Sequence, residues 1–382
     1  MTHERLFDRI DELQQEYVQF WTDICNIESP TDYKAGVDAV GAYIAEKAAA
    51  RGWRIETHHE EVSGDALCIT MNPDAPGKPV CFSGHMDTVH PVGLFGTPAV
   101  HRDEEFIYGP GVADCKGGIA VSFLAMAALE DCGFKDRPVK LILQSDEENS
   151  SRTSEKRTVQ FMAKCAEGCA AFLNTEGGTL EKATLTRKGI LKYRFTVTGK
   201  AVHASSCCKG VNAIAEAAHK ILELEKYKDH TGITCSCDVI SGGTAINTVP
   251  AECHFDVDVR FADEQQRQTM ERKIAELAAV NYIEGTTTTA ECLSVRVAMP
   301  PNEQNSALFD RLNEICAKAG LPHMEPGHGQ GGSDAADMTA VGIPTLDCFG
   351  TAPHAIHSIR ERSELRSLTD GAKRLAAIAL YL

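Results

Sequence analysis

The sequence lacks any apolar run long enough to cross a membrane, and its first residues are charged rather than apolar. The 382 residues begin with MTHERLFD, which is typical of an amphipathic helix and not of a secretory signal. We therefore expect no membrane partner, and we expect the protein to remain in the cytoplasm.

Positive charge is also scarce. Lysine and arginine together number 38 against 54 aspartate and glutamate residues, which gives a net charge of −16 at pH 7. A large negative net charge repels the phosphates of nucleic acids and anionic lipid surfaces. We therefore expect no nucleic-acid partner.

Paired cysteine motifs are missing, although cysteine itself is not. The 15 cysteines are an odd number, are spread through apolar segments and form no CxxC pair. This pattern gives little support to a disulfide framework or to a structural zinc held by thiolates, and it favours buried, reduced thiols. A redox role for Cys207 and Cys208, or for Cys235 and Cys237, is the alternative that stays open.

The length and the hydrophobic pattern of the chain favour two domains. Short apolar runs indicate buried strands, and helical stretches such as 117–131 lie between them. The strands are predicted at 79–83, 138–144, 170–174 and 344–349. This alternation predicts an α/β fold, a mixed sheet flanked by helices.

The middle of the chain has a different pattern, in which hydrophobic residues alternate at period two. Such alternation is typical of half-exposed antiparallel strands. The elements predicted there are strands at 190–197 and 252–260 and helices at about 210–226 and 263–279. We interpret 186–297 as an inserted α+β domain, and 1–185 together with 298–382 as the discontinuous domain that surrounds it.

Nearly every apolar strand is followed by a side chain that could bind a hard metal ion. The carboxyl ends of strands form the ligand-binding edge of open α/β sheets, so these side chains are expected to converge. They are His85 with Asp87, Asp114, one of the neighbours Glu147 and Glu148, Glu176, and a histidine of the segment 354–357.

Each of these signals has a simpler explanation when it is taken alone. Asp87 could orient His85 at a zinc ion, or the two could form an ordinary surface contact. Asp114, in a glycine-rich turn before a helix, could bridge two cations or merely cap the helix. The acidic run at 146–148 could likewise be a solvated loop.

As a set, these residues favour a metal centre. Two histidines and three carboxylates, with one shared aspartate, suit a pair of zinc ions and two-metal hydrolysis. On an alternating backbone Glu147 and Glu148 would point opposite ways, so that one binds metal and the other holds the attacking water.

The motifs GHMDTV, GxxDCKGG, DEE, NTEGG and HS occur in this order and resemble those of the M20 family of zinc peptidases. Within that family the sequence is most similar to the carboxypeptidase G2-like glutamate carboxypeptidases. The resemblance implies that His85, Asp114 and Glu176 bind one metal ion, that Asp114, Glu148 and His357 bind the other, and that Glu147 is the general base. Cys115 departs from the methionine that is frequent in the family, and we expect its thiol only to pack.

The resemblance also assigns roles to the inserted domain. It implies a ferredoxin-like lid that forms a homodimer and supplies His203 to stabilise the oxyanion, with Asn247 and Arg260 binding polar groups of the substrate. An ion pair of Arg260 with Asp258 or Glu252 is the structural alternative. Gly332 and Ser333, just before a predicted helix, could bind an anion through backbone N–H groups or could simply cap that helix.

We therefore expect a hydrolase with two Zn²⁺ ions, replaceable by Co²⁺ or Mn²⁺, that cleaves a peptide or amide bond next to a free carboxylate. A carboxypeptidase acting on a small peptide is the first hypothesis. An N-acyl amino acid deacylase, similar to acetylornithine deacetylase or succinyl-diaminopimelate desuccinylase, is the second. A catalytically silent zinc-binding or redox-responsive protein is the remote third.

Overall fold

A computed structural model describes all 382 residues of the chain, which divide into two compact units. The first unit comprises Met1–Leu185, Pro301–His328 and Asp337–Leu382. The second comprises Thr186–Pro300 and Gly329–Ala336.

The short segment Gly329–Ala336 was expected in the surrounding domain, and the structure groups it with the second unit. The contacts within that unit explain the difference. The Lys188 N–H donates to the Gly329 carbonyl at 3.1 Å, and the Arg296 guanidinium lies 3.6 Å from Asp334.

Three of the α-helices begin at polar residues whose side chains cap them. Asn212, Asp263 and Asn302 each accept, through the side chain, the backbone N–H of the residue three positions on. The nine α-helices are α1 (His3–Asn26), α2 (Lys34–Ala50), α3 (Lys116–Asp131), α4 (Arg157–Ala166), α5 (Ala213–Leu224), α6 (Glu264–Ala279), α7 (Glu303–Lys318), α8 (Asp334–Ala340) and α9 (Arg366–Tyr381), and a 3₁₀ helix covers Ala204–Lys209. None of them combines the length and the apolar character that crossing a membrane requires.

The strands build one large sheet and three smaller ones. The sixteen strands are β1 (Arg54–His58), β2 (Ala66–Met71), β3 (Val80–His85), β4 (His101–Arg102), β5 (Phe106–Tyr108), β6 (Val139–Gln144), β7 (Ala171–Asn174), β8 (Lys182–Arg187), β9 (Gly189–Thr198), β10 (Thr234–Gly242), β11 (Glu252–Phe261), β12 (Thr287–Arg296), β13 (Glu325–Gly329), β14 (Thr345–Leu346), β15 (Pro353–His354) and β16 (Arg362–Glu364).

The first unit is built on a six-stranded sheet in the order β1-β2-β6-β3-β7-β14. From β6 to β14 the neighbouring strands run parallel, whereas β1 with β2 and β2 with β6 are antiparallel. Helix α3 is almost entirely buried and packs between this sheet and the helices α1 and α9. The predicted α/β fold with a mixed sheet flanked by helices is confirmed.

The second unit contains an antiparallel four-stranded sheet in the order β10-β11-β9-β12. Along β11 the apolar residues Cys253, Phe255, Val257, Val259 and Phe261 are buried and alternate with more exposed polar residues. Helices α5 and α6 pack their apolar residues against the same buried cluster. The alternation predicted for this region is confirmed.

One predicted strand is much shorter than expected. Of the run 344–349 only Thr345–Leu346 pairs with the sheet, as β14. Cys348 has a φ of 69°, which turns the chain out of an extended path and toward β7, where the Phe349 N–H donates to the Asn174 carbonyl.

Candidate metal centre

All the predicted metal ligands lie in the first unit, most of them at or just beyond the ends of buried strands. His85 is the last residue of β3, while Glu148 and Glu176 follow β6 and β7. These three strands run parallel, so their carboxyl ends meet at one edge of the sheet. Asp114 stands just before α3, and His357 lies in the loop before β16.

The Asp114 carboxylate lies between two histidine side chains. Its Oδ1 is 3.1 Å from His85 Nε2, and its Oδ2 is 3.0 Å from His357 Nε2. Although burial opposes it, hydrogen bonding to His357 and His85 holds the pKa of Asp114 well below its ordinary value. A carboxylate with one oxygen directed to each ring has the placement needed to bridge two cations.

The other two carboxylates flank this bridge. Glu176 Oε1 lies 3.7 Å from His85 Nε2, and Glu148 Oε2 lies 3.5 Å from His357 Nε2. The His85 side chain is 1% exposed, whereas that of His357 is 53% exposed. The structure thus brings all the predicted ligands together in a cluster that is buried at one end and open to solvent at the other.

The residues present fit divalent metal ions. One ligand atom each from His85, Asp114 and Glu148 lies within 4.8 Å of the other two, and Glu148 Oε1 is buried without a hydrogen-bond partner. Burial raises the pKa of Glu148 to about 7, and burial together with the charge of Asp114 raises the pKa of Glu176 well above its ordinary value. A bound cation would stabilise such crowded carboxylates.

Asp87 is fully buried and contacts several parts of this cluster. His85 Nδ1 lies 2.9 Å from the Asp87 backbone carbonyl oxygen and 3.3 Å from its carboxylate. That carboxylate accepts the backbone N–H groups of Glu147 and Glu148, each at 3.1 Å, and the Thr31 hydroxyl at 2.8 Å. Asp87 therefore contacts His85 through both its carbonyl and its carboxylate, and the carboxylate also holds the acidic turn.

That acidic segment departs from one expectation. Glu147 and Glu148 lie in a turn beyond β6, so the extended backbone predicted for them is wrong. The chain leaves the sheet at Gln144, and the two N–H bonds to Asp87 curl the segment toward the metal ligands. The Glu148 side chain lies within 3.5 Å of His357, which distinguishes it from Glu147.

Cys115 is buried directly behind His85. Its Sγ accepts the His85 backbone N–H at 3.3 Å and lies within 4.8 Å of ligand atoms of His85 and Glu176. Burial raises the pKa of the Cys115 thiol to about 12. A neutral thiol is a poor metal ligand, so this position fits the packing role expected for it.

Two glycines at the start of α3 allow the Asp114 turn to lie against the loop that carries Glu176. A Cβ on Gly118 would lie 1.9 Å from the Thr175 carbonyl oxygen, and one on Gly117 would lie 2.3 Å from that of Val112. The Thr175 hydroxyl in turn donates to the Ser83 carbonyl in β3 at 2.6 Å. Close backbone packing therefore sets the spacing between these ligands.

Replacing Gly118 by alanine is expected to lower the free energy of unfolding by about 1–3 kcal/mol, because the added methyl group overpacks a backbone contact. The loss is expected even though alanine is the better helix former by about 1 kcal/mol. Denaturant unfolding measures the difference. Gly331→Ala is the matched control, since no atom lies within 4 Å of its added Cβ, and its effect should stay within about 0.5 kcal/mol. Equal effects of the two substitutions would contradict the packing role of Gly118.

His203 and Asn247 are exposed neighbours in the second unit. The Ala204 N–H donates to the Asn247 carbonyl at 2.8 Å, and His203 Nδ1 lies 2.8 Å from the Ser205 hydroxyl. The contact with Ser205 occupies one ring nitrogen and leaves Nε2 available to a ligand.

The other predicted substrate residues of the second unit already have protein partners. Arg260 binds Asp258 through two nitrogens, at 2.5 and 3.0 Å, which is the structural ion pair given above as the alternative. The Ser333 hydroxyl accepts the Ala335 N–H at 3.2 Å at the start of α8, as a helix cap would. Gly332 lies under the Arg296 side chain.

Sequence reasoning missed two residues behind the centre, His90 and Glu361. They are 271 positions apart in the chain, yet their side chains lie 2.6 Å apart and both are buried. The segment IRERSE around Glu361 has the composition of a solvated loop, so nothing in its local pattern marks a buried carboxylate. The only available signal was its position four residues after His357.

Comparison with known protein families decides the class of this protein. Residues 81–381, which include every predicted metal ligand, match the model of peptidase family M20/M25/M40. The chain belongs to this family. It is a hydrolase that acts on peptide or amide bonds, and the family expected from the five motifs is confirmed.

Curated relatives within this family are similar over most of the chain. Carboxypeptidase G2 from a Pseudomonas species is 26% identical over 357 residues, which cover 92% of this chain and 86% of the relative. A succinyl-diaminopimelate desuccinylase from Cereibacter sphaeroides is 28% identical over 309 residues, covering 75% and 79%.

Solved structures show the same fold at lower sequence identity. Aminopeptidase PepT from Bacillus cereus superposes with a TM-score of 0.79 at 19% identity and covers 96% of this M20 chain and 97% of its own. An M20 family metallo-carboxypeptidase from Sulfolobus solfataricus gives a TM-score of 0.77 at 15% identity, covering 96% and 99%.

Proposed function

We propose that this M20 protein is a carboxypeptidase that uses two Zn²⁺ ions to cleave a peptide or amide bond next to a free carboxylate. The observation that carries the proposal is the Asp114 carboxylate, which directs one oxygen to His85 and the other to His357. His85, Asp114 and Glu176 would hold one ion, and Asp114, Glu148 and His357 the other. Co²⁺ or Mn²⁺ would be expected to replace zinc at such ligands.

Bound there, two zinc ions would lower the pKa of a water molecule and polarise the carbonyl group of the scissile bond. In the proposed mechanism Glu147 accepts the proton of the attacking water and then delivers it to the leaving amine. In support of this role, the Glu147 backbone N–H donates to the Asp87 carboxylate beside His85, and Glu147 is 6% exposed. Because the base is buried, bulk water competes less with it for the proton.

The second unit would act as a lid and as the dimer interface of a homodimer. His203 would stabilise the oxyanion, Asn247 and Arg260 would hold polar groups of the substrate, and Gly332 and Ser333 would offer backbone N–H groups to its carboxylate. The exposure of His203 and Asn247 supports their part of this proposal. The cytoplasm is the proposed location.

A deacylase is the second candidate function, and a specific observation favours it. Succinyl-diaminopimelate desuccinylase from Cereibacter sphaeroides matches 75% of the chain at an identity similar to that of carboxypeptidase G2. Both activities hydrolyse an amide bond close to a carboxylate, so the same metal ligands and the same base would serve either one.

A substrate panel tests the proposed function. The purified protein, loaded with Zn²⁺, is expected to release amino acids from N-acyl-glutamates or from dipeptides with a free C-terminal carboxylate, and a chelator should abolish the activity because the water then loses its activation. Amine release is measured with each substrate before chelation, after chelation and after zinc is restored. Matched substrates with an amidated C-terminus are the control and should be poor.

The outcome of the panel separates the candidates. Preference for N-succinyl or N-acetyl amino acids over peptides and acyl-glutamates would favour the deacylase. Full activity after complete removal of metal would contradict both zinc-dependent functions.

A further inference from the structure

A buried carboxylate that is not among the predicted ligands lies behind the metal centre. Glu361 is 1% exposed and stands just before β16, four residues beyond His357. Both of its carboxylate oxygens are engaged by protein donors. The segments that supply these donors therefore indicate its role.

One oxygen of Glu361 holds the turn that carries the bridging aspartate. Glu361 Oε1 accepts the backbone N–H of Ala113 at 3.0 Å and that of Asp114 itself at 3.2 Å. The Glu361 backbone carbonyl also accepts the Gly109 N–H at 3.3 Å. The main chain on the N-terminal side of Asp114 is thus fixed by one residue from a distant part of the sequence.

The other oxygen is held by His90. His90 Nε2 lies 2.6 Å from Glu361 Oε2, and the His90 ring is itself buried against Phe95. His90 follows closely after Asp87 in the loop that leaves β3. The Glu361 carboxylate is therefore locked between the Asp114 turn and the loop beyond His85, which leaves it little freedom to rotate.

The same residue also ends the turn that carries His357. The Glu361 N–H donates to the Ser358 carbonyl at 3.0 Å, and the Ser358 hydroxyl donates to the Ala355 carbonyl at 2.7 Å. His357 has a φ of 58°, a conformation that a non-glycine residue adopts only when its surroundings hold it. Glu361 thus connects the two turns that place Asp114 and His357.

We propose that Glu361 is a positioning residue for the metal ion bound by Asp114, Glu148 and His357, and that His90 fixes the Glu361 carboxylate in turn. Two of the three ligands of that site stand on turns held by Glu361. The other site keeps His85, on the end of a sheet strand, and Glu176, on a loop held by Thr175. The inference rests on the proposed two-metal function.

The expected consequence is an unequal loss of metal affinity. Removing a side chain that orients the ligands of a metal site typically costs about 10- to 100-fold in affinity. In Glu361→Met the buried N–H groups of Ala113 and Asp114 lose their acceptor, so Asp114 and His357 are no longer held at a fixed separation. One of the two Zn²⁺ ions should bind about 10- to 100-fold more weakly, and the other should change much less.

Zinc titration against a chromophoric chelator tests this in the full-length protein, with Zn²⁺ alone as the probe. Glu361→Gln should keep both affinities close to those of the wild type, because its amide oxygen can still accept the two N–H groups. Glu364→Met is the matched control three residues on, since Glu364 pairs with Arg366 and His354 and contacts no predicted ligand. A purely structural role would lower the melting temperature without changing the zinc affinity of the folded protein.

Two results would overturn the proposal. One is a folded Glu361→Met protein that binds both ions as tightly as the wild type. If Glu361→Met does not fold, Glu361→Asp decides, because the shorter carboxylate keeps its charge but cannot reach both N–H groups, and unchanged affinities in that variant would also refute the role. A wild-type protein that binds fewer than two ions would instead contradict the two-metal function itself, so the two failures are distinguishable.

Discussion

Replacing Glu147 by glutamine is expected to lower kcat by about 10²- to 10⁴-fold while both metal ions stay bound. The amide has nearly the same shape as the carboxylate but cannot accept the proton of the attacking water. The Glu147 backbone N–H, which donates to Asp87, is untouched by the substitution, so the acidic turn should keep its conformation. Steady-state kinetics and elemental analysis of the same preparation measure the two quantities.

Glu148→Gln is the matched variant at the neighbouring position. Glu148 approaches His357 and has a buried oxygen without a hydrogen-bond partner, as expected of a metal ligand. Its replacement should lower the metal content from about two ions per chain toward one, because an amide is a weaker ligand than a carboxylate. The division of roles would be wrong if both variants retained, or both lost, the same amount of metal.

The ends of the central strands could be predicted from the sequence because burial and charge there depend on residues that are neighbours in the chain. An apolar run must be buried, and a charged residue placed directly after it has to be paired or bound. This reasoning located His85 at the end of β3 and Glu176 just after β7, and the two strands run parallel, which brings both residues to one edge of the sheet. Five ordered motifs added the family, which composition could not supply.

Several features were not predictable because they depend on contacts between distant segments. The Asp87 carboxylate approaches His85 as expected, but it also accepts two backbone N–H groups of the acidic turn, which no spacing rule reveals. The contacts of Glu361 were equally unpredictable, since its partners Ala113 and His90 are more than two hundred residues away in the chain. The short sheet formed by β4, β5, β15 and β16 has strands of two or three residues, too few to show any periodicity.

The segment Gly329–Ala336 belongs to the second unit because of long-range contacts, although its position in the sequence predicted the first. It lies within the predicted surrounding domain, but Gly332 is packed under Arg296 and Lys188 holds Gly329. Arg260, which is predicted to bind substrate, donates to the Gln330 carbonyl in the same segment. If Arg260 binds a substrate carboxylate, this segment and Asp258 would keep its guanidinium oriented.

The oxyanion role proposed for His203 predicts a large loss of activity when this side chain is removed. His203→Ala is expected to reduce kcat by about 10²- to 10³-fold, because the loss of one oxyanion donor costs about 2.7–4 kcal/mol at comparable sites. His203 is exposed in the second unit and forms its contacts with the neighbouring Ser205, so its removal should leave stability and metal content nearly unchanged. Kinetics, thermal unfolding and metal analysis of the variant measure these three quantities.

Mixing two inactive variants determines which subunit supplies His203. If the protein is a homodimer in which each lid serves the partner's centre, a His203→Ala chain and a Glu147→Gln chain form one working site when they pair. That site combines the intact Glu147 of the first chain with the intact His203 of the second. With random exchange about half of the dimers are mixed and each has one working site of two, so activity should recover to roughly one quarter of the wild-type value. Absence of recovery after demonstrated subunit exchange would place His203 in the site of its own chain, and a protein that stays monomeric at assay concentration would contradict the shared site altogether.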